Sequence, residues 1–405
     1  MHALAARDRA KRILERRHAI VLTAFVSTYP PRRCGIATFT HALAAATGRR
    51  EVVALHTPEQ ASSYPPEVHH RIRKDERADY THTAHALNDC VDVVSIQHEY
   101  GIWGGDDGAH VLDFVRALRV PAVATLHTVL QEPTANQRSV LTELVSHAEA
   151  TVVMSRSAAD LLTSAYGVDS RRVHVIPHGV PDLPLVDPVE IKPGLGVEGR
   201  DVILSFGLLG PGKGYELAID ALPEVVAANP SALYVVVGAT HPDLIRANGE
   251  AYRETLVAQV KRLGMENHVR FIDRFVGRVE LTHWLEAADV FVTPYPNLDQ
   301  IVSGTLSYAM GAGRAIVSTP YAYATELLAD GRGILVPPGA AGLARALSAV
   351  LGDDQLRADI GRRAYDYSRR MVWSAVGTEY RTLFEQLTAS APAPIRSLEL
   401  VAVGA

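Results

Sequence analysis

The amino-acid sequence predicts an α/β chain built from two doubly wound, Rossmann-like halves, and three observations carry that expectation. Short runs rich in Val, Ile, Leu and Ala recur between longer segments of helical length. The runs fall into two series, and a stretch of prolines and glycines separates the series. Continuous apolar runs of this kind are what strands look like when both faces of a sheet are covered, which implies parallel βα units rather than hairpins.

The first series comprises residues 19–26, 52–55, 91–96, 122–126, 150–154 and 173–176. The second begins after Arg200, at 201–206, 233–237, 269–272, 290–292, 315–318 and 333–336. Between them, residues 181–196 hold so many prolines and glycines that no regular element is expected there, and the segment reads as a linker. At 405 residues the chain exceeds one ordinary core, and a prior of ~150 residues per domain sets two as the first expectation. One domain is placed over 1–185 and the other over 186–370, with helices of about 371–390 returning to the first. The tail from Ser390, continuing Ala-Pro-Ala-Pro, is expected to be loose.

Composition narrows the class. A hydrophobic share of 47 % with 21 % charged residues suits a soluble globular protein, and a net charge of -5 gives no general attraction for nucleic acid. Two cysteines, Cys34 and Cys90, are too few for a disulfide framework and lack metal-ligand spacing, which suits a reducing compartment. Arg16 and Arg17 precede the run 19–26, but that run is short and leads into Tyr29-Pro30-Pro31-Arg32-Arg33 without a small-residue cleavage site. It reads as a first buried strand, not a signal peptide. No stretch approaches the ~20 apolar residues of a membrane span. The expectation is a cytoplasmic protein whose residues 1–17 form a basic helix, with membrane association at most peripheral.

In open parallel sheets ligands bind beyond the carboxyl ends of the strands, so the residues just after each run are the informative ones. After the first come Cys34-Gly35-Ile36, leading into a helix. Gly35 lets backbone approach a ligand there, and the helix start favours a phosphate or a sugar hydroxyl. The competing reading is a tight turn with no ligand. After the third run come Gln97-His98-Glu99-Tyr100, and after the fourth His127-Thr128. Polar groups behind apolar strands are expensive to bury unpaired, so His98, Glu99, Tyr100 and His127 are expected to line one pocket. Asp106-Asp107 mimics a metal-binding pair, but its glycine-rich surroundings read as a solvated loop, and no metal site is expected. In the second half, Gly207-Leu-Leu-Gly-Pro-Gly-Lys-Gly214 joins a strand to a helix beginning near Tyr215. Its glycines bring N–H groups to an anion and Lys213 adds a point charge. The alternative is an exposed lysine on a structural turn.

Several segments occur together in one order: Val152-Val-Met-Ser155, Ile176-Pro-His-Gly-Val-Pro-Asp182, the loop 207–214, Val235-Val-Val-Gly238, Ala287-Ala-Asp-Val290, Tyr308-Ala-Met-Gly-Ala-Gly-Arg-Ala-Ile-Val-Ser318 and Glu326-Leu-Leu-Ala-Asp-Gly-Arg-Gly-Ile-Leu-Val-Pro-Pro-Gly339. In that order and spacing, over about residues 21–387, the chain resembles the retaining glycosyltransferases of family four. The resemblance implies a GT-B fold, two Rossmann-like domains facing each other across a cleft. It implies an activated sugar donor held mainly by the C-terminal domain, a sugar or small-molecule acceptor held by the N-terminal one, and no cofactor or required metal.

Within that resemblance His127 matches a histidine beside the donor sugar, and Lys213 matches one half of a diphosphate clamp. The other half, an arginine, is Leu208 here. Members also carry two glutamates with seven residues between them, one holding donor-sugar hydroxyls and the other the ribose; those positions are Gln300 and Tyr308. Gln300 keeps hydrogen-bonding ability, whereas a tyrosine cannot accept the bidentate pair that a carboxylate accepts. Asp299 and Arg274, on neighbouring loops, are the candidates to compensate, and Gly207, Gly212, Ser303 and Gly304 complete the donor side. His127, Lys213 and Gln300 are then the catalytic candidates.

The leading expectation is a metal-independent retaining transfer from a nucleotide sugar, in which Lys213 and loop amides stabilise the leaving group. One alternative is a retaining glycoside phosphorylase using phosphate or a sugar 1-phosphate, favoured by the missing ribose glutamate and disfavoured by the missing arginine. Another is a non-catalytic sugar- or partner-binding protein, against which His127, Lys213 and the polar loop after residue 96 argue.

Overall fold

The computed structural model describes residues 21–57 and 64–390. The expected basic helix over 1–17 and the tail beyond Ser390 lie outside them. The chain divides into two units. One runs to Pro177 and regains the chain from Ser374; the other is His178–Trp373.

The first unit holds a seven-stranded parallel sheet of order β3-β2-β1-β4-β5-β6-β7. Its strands are β1 (Thr23–Ser27), β2 (Arg50–His56), β3 (Val68–Arg73), β4 (Val93–His98), β5 (Ala122–Leu126), β6 (Ala150–Val153) and β7 (Val173–Val175). β1, β4, β5 and β6 are buried along their whole length, as their largely apolar composition suits, with Ser95, Gln97 and His98 of β4 and Thr125 of β5 buried among them. β3 has no apolar run to announce it. It is Val-His-His-Arg-Ile-Arg, an edge strand whose residues alternate between half-buried and exposed until Ile72.

One face of this sheet is covered by the helix Gly35–Thr47, whose N-cap Cys34 accepts a bond from the Ala37 amide through Sγ at 3.3 Å, and by the last helix, Trp373–Ser390. Phe384 of that last helix meets Phe25 edge-on at 6.2 Å, Tyr380 Oη lies 3.1 Å from Thr125 Oγ1, and Gly377 is pressed on Ala46. The opposite face takes the helices His110–Ala117 and Ala135–His147, the latter opened by a Thr134/Gln137 capping box.

The second unit holds a six-stranded parallel sheet of order β10-β9-β8-β11-β12-β13. Its strands are β8 (Asp201–Phe206), β9 (Ala232–Val237), β10 (Val269–Ile272), β11 (Val290–Thr293), β12 (Ala315–Ser318) and β13 (Ile334–Leu335). A continuous core joins β8, β9, β11 and β12 to the helices Tyr215–Ala228 and Ala340–Gly352. The unit begins and ends at one place: Val180 N donates to Met371 O at 2.8 Å, and Trp373 N to Val180 O at 3.0 Å.

The stretch 181–196 is not devoid of regular structure, as its composition predicted. It contains the short helix Pro188–Ile191 and a 3-10 turn, Lys192–Leu195. Pro188 occupies the first helical turn, where its missing N–H is not needed, and the Asp187 carboxylate accepts from Val189 N at 3.0 Å. No helix of the described residues is long and apolar enough to cross a membrane.

Candidate active site

In each sheet the strand order reverses between the first strand and its later neighbour, β1/β4 in one unit and β8/β11 in the other. These are the points where loops diverge and leave a crevice at the carboxyl ends.

In the first unit the side chains of β4 and β5 separate by strand alternation. Gln97 is in register with Thr125 and His98 with Leu126, so Gln97, Thr125 and His127 share the face covered by the helices Gly35–Thr47 and Trp373–Ser390. His127 is half-buried, its Nε2 2.9 Å from Gln97 Oε1 and its ring edge-on to Phe39 at 4.9 Å. Gly35 is exposed at the start of the helix carrying Phe39, with open space where a side chain would point, and Ile36 is half-exposed beside it.

His98 lies on the opposite face. It is wholly buried against Tyr100, ring centroids 5.0 Å apart, and neither ring nitrogen has a hydrogen-bond partner. The structure therefore does not bring His98 and His127 into one pocket, because adjacent strand positions alternate across the sheet. Tyr100 is buried with His98 and its Oη approaches Gln137 O at 3.4 Å. Glu99 caps its own 3-10 turn, accepting from Gly101 N at 2.8 Å, and burial raises its carboxyl above the usual range against the nearby charge of Lys74.

Burial holds the imidazole of His98 down at about 4, and that of His178 in the other unit also at about 4. Both are neutral in folded and unfolded chains above pH 6.5. Below it the unfolded chain takes up protons that the folded chain refuses, so stability falls as pH drops from about 6.5 towards 4, by ~1.4 kcal/mol per unit for each group. His98→Leu is expected to leave stability at pH 7.5 unchanged or higher, since no hydrogen bond is lost, and to flatten the acid loss by about one proton. Urea midpoints at pH 7.5 and 5.0 measure both. A variant destabilised at pH 7.5 would show that the imidazole is bonded.

In the second unit the turn after β8 opens with Gly207 at φ +131°, its N–H bonded to Val237 O at 3.0 Å. Leu208 is half-buried, and Gly212 is exposed at φ +88°. Lys213 precedes the helix Tyr215–Ala228, and its Nζ stands 4.5 Å over the ring of Tyr295. Tyr295 follows β11, stacks on Tyr321 at 5.1 Å, and its Oη is 2.9 Å from Thr305 Oγ1. Thr305 Oγ1 is in turn 3.1 Å from Ser303 Oγ, which caps the helix Gly304–Gly311 by accepting from Leu306 N. A lysine and two helix N-termini are thus tied together through one tyrosine, an arrangement suited to an anion. Tyr295 was not singled out in the sequence, although its place three residues after an apolar run was the available signal.

The remaining donor-side candidates are placed differently. Gln300 folds onto its own loop, Nε2 donating to Val302 O at 2.8 Å. Asp299 is exposed, its N–H bonded to Asn297 Oδ1. The Arg274 guanidinium is paired with Glu280, at 2.5 and 2.6 Å, on the exposed surface. Tyr308 is packed between His178, 6.0 Å away, and Phe206, 6.2 Å away, with its hydroxyl hydrogen-bonded to the Trp373 side chain. It is a packing residue at a position where a carboxylate was expected, because its ring finds an aromatic cluster. His178 also presses on Gly304, where a Cβ would stand 2.8 Å from Nε2.

A family model described as Glycosyltransferase Family 4 matches residues 33–182, and one described as Glycosyl transferases group 1 matches residues 189–367. Among curated relatives, a phosphatidyl-myo-inositol mannosyltransferase of Mycolicibacterium smegmatis is 31 % identical over 220 residues, covering 53 % of this chain and 52 % of the relative. A D-inositol 3-phosphate glycosyltransferase of Jonesia denitrificans is 26 % identical over 297 residues, covering 67 % and 68 %. The matched stretch thus spans about half the length of the first relative and about two thirds of the second. Among solved structures, HepE of Anabaena in complex with UDP and glucose has a TM-score of 0.74 at 19 % identity, over 90 % of this chain and 100 % of that one. That likeness is one of fold.

Proposed function

The chain belongs to the family-four glycosyltransferases, with their GT-B fold, and on that premise we propose that it is a retaining transferase drawing on a nucleotide sugar, with the donor diphosphate seated at Lys213. The observation that carries this reading is the Lys213–Tyr295–Thr305–Ser303 chain, which presents one cation and two helix N-termini at the carboxyl end of β8 and β11. As the bond from the sugar to the diphosphate breaks, negative charge collects on the leaving phosphate, and Lys213 with the loop amides stabilises it without a metal. That phosphate takes the proton of the attacking acceptor hydroxyl, so no protein nucleophile is required. On the first unit His127, its Nε2 2.9 Å from Gln97 Oε1, is the group offered to a sugar hydroxyl. We place the acceptor, a small molecule or glycan, on the unit of β1 to β7. The cytoplasm suits this reading, since two cysteines are too few for a disulfide framework.

Thermal shifts with UDP-, GDP- and ADP-sugars against sugar 1-phosphates test the proposal, because a ligand that binds the folded state raises the melting temperature. At least one nucleotide sugar is expected to stabilise the protein. Leu208→Arg, which restores the second clamp cation, is expected to tighten that binding severalfold. Stabilisation by sugar 1-phosphates alone would overturn the reading in favour of a phosphorylase, the alternative that the engaged hydroxyl of Tyr308 favours by leaving the ribose without a bidentate acceptor.

A further inference from the structure

Three buried hydrogen-bonding atoms without partners lie at the carboxyl edge of the first sheet: Arg32 Nη1 after β1, His56 Nδ1 at the end of β2, and Tyr64 Oη. Buried polar groups are nearly always satisfied, so three in one neighbourhood mark a place where a partner is missing. They are neighbours. The His56 and Tyr64 rings are 6.4 Å apart, Arg71 stands 5.2 Å from the Tyr64 ring, and the charges of both Arg32 and Arg71 act on the Tyr64 hydroxyl. Tyr64 is 9 % exposed and packs on Tyr29, Val52 and Ala54. Arg71 is in register with Ala54, so His56 and Arg71 share that face, the one covered by the helix Gly35–Thr47.

The other charges nearby are already committed. Arg73 pairs with Asp79, Lys74 donates to Gly101 O, Glu67 accepts from Tyr29 Oη and Glu99 caps its own turn. Among the described residues neither Arg32 nor Arg71 has an ion pair. The cluster therefore offers two guanidinium groups without an ion pair, Arg32 feeling the charge of Glu99 only at longer range, and polar atoms converging from β1, β2 and β3. A sugar hydroxyl, which must also donate, is a poor match for such a set. An anion with several acceptor oxygens is a good one, and a phosphate best matches two forked guanidinium groups.

We propose that Arg32, His56, Tyr64 and Arg71 form an acceptor-side phosphate site, so that the molecule receiving the sugar carries a phosphate. The inference rests on the transferase reading for the word acceptor, but not for the site itself. β2 and β4 flank β1, which sets their ends ~10 Å apart, the scale of one phosphorylated sugar reaching from this cluster to the neighbourhood of His127 and Gln97. The phosphate belongs either to a soluble sugar or polyol phosphate or to a lipid headgroup.

The test titrates the full chain with inorganic phosphate by calorimetry, as wild type, Arg32→Gln and Tyr64→Phe. Saturable binding to wild type, at least tenfold weaker in Arg32→Gln and weakened in Tyr64→Phe, supports the site. Tyr64→Phe keeps the ring and removes a hydroxyl that has no partner in the fold, so its melting temperature without phosphate should not fall. No saturable binding, or equal binding to all three proteins, overturns the proposal, as does a Tyr64→Phe variant that loses stability without losing phosphate. Competition then separates the sources. Displacement by hexose 6-phosphates assigns a soluble acceptor, and displacement only by phosphatidylinositol vesicles assigns a lipid one. Displacement by neither overturns the acceptor role. Nucleotide-sugar thermal shifts run on the same variants should be unchanged. If they are absent in every protein while phosphate still binds, the transferase reading fails and the site stands.

Discussion

Lys213→Ala is expected to slow sugar transfer roughly ten- to a hundredfold at saturating acceptor while leaving the melting temperature nearly unchanged. A hydrogen bond to a charged group is worth ~1.5–3 kcal/mol, and each ~1.4 kcal/mol withheld from the transition state is a factor of ten in rate. With Leu208 in place of an arginine and Arg274 paired to Glu280, Lys213 carries the side-chain charge of this loop. Its contact with the Tyr295 ring is partly solvated and is worth only ~0.5–1 kcal/mol to the fold. The two quantities should therefore separate. Turnover of the alanine variant is to be measured with a donor already shown to bind, beside its melting curve. Full activity would remove the donor site from this loop.

Gly238→Ala is expected to destabilise the second unit by ~3 kcal/mol or more, and Gly212→Ala in the neighbouring loop by only ~1 kcal/mol. Gly238 has φ +150°, and a Cβ there would stand 1.9 Å from the carbonyl oxygen of Gly207. That is backbone against backbone, with no flexible side chain to give way, so the turn after β8 would have to move. Gly212 has φ +88° but faces open space, so only the strain of a left-handed alanine applies. Denaturant midpoints of the two variants make the comparison. Equal midpoints would mean that the turns at Gly207 and Gly238 can move apart at little cost.

The strands were legible because most are covered on both faces, which writes an unbroken apolar run into the sequence; β5, β8 and β10 begin and end where their runs do. β3 was not, since an edge strand of histidines and arginines satisfies no such requirement. Positions just after strands were legible as a class, but the direction of each side chain was not. Gln97 and His98 are consecutive, and only the pairing of β4 with β5 decides that Gln97 meets His127 while His98 turns to the other face. Tyr308 shows the same limit at longer range. Its hydroxyl is claimed by Trp373, sixty-five positions away, and no local pattern announces that contact. Lys213 could be picked out from glycines beside it, whereas its partner Tyr295 comes from another strand end.

The joining of Val180 to Met371 and Trp373 has a consequence for how the protein is made. The whole stretch His178–Trp373 is an insertion whose two ends meet, so it can close its own core as soon as it has left the ribosome. The sheet begun at β1 cannot. The layer that covers Phe25 and Thr125 is supplied by Phe384 and Tyr380, which are translated after the whole of that insertion. During synthesis the earlier-made half therefore waits, with part of its apolar face bare, until the later-made half is already folded. That reverses the usual order in which domains complete themselves from the N-terminus, and it places the period of greatest exposure to aggregation and chaperone capture in the time needed to translate the intervening chain.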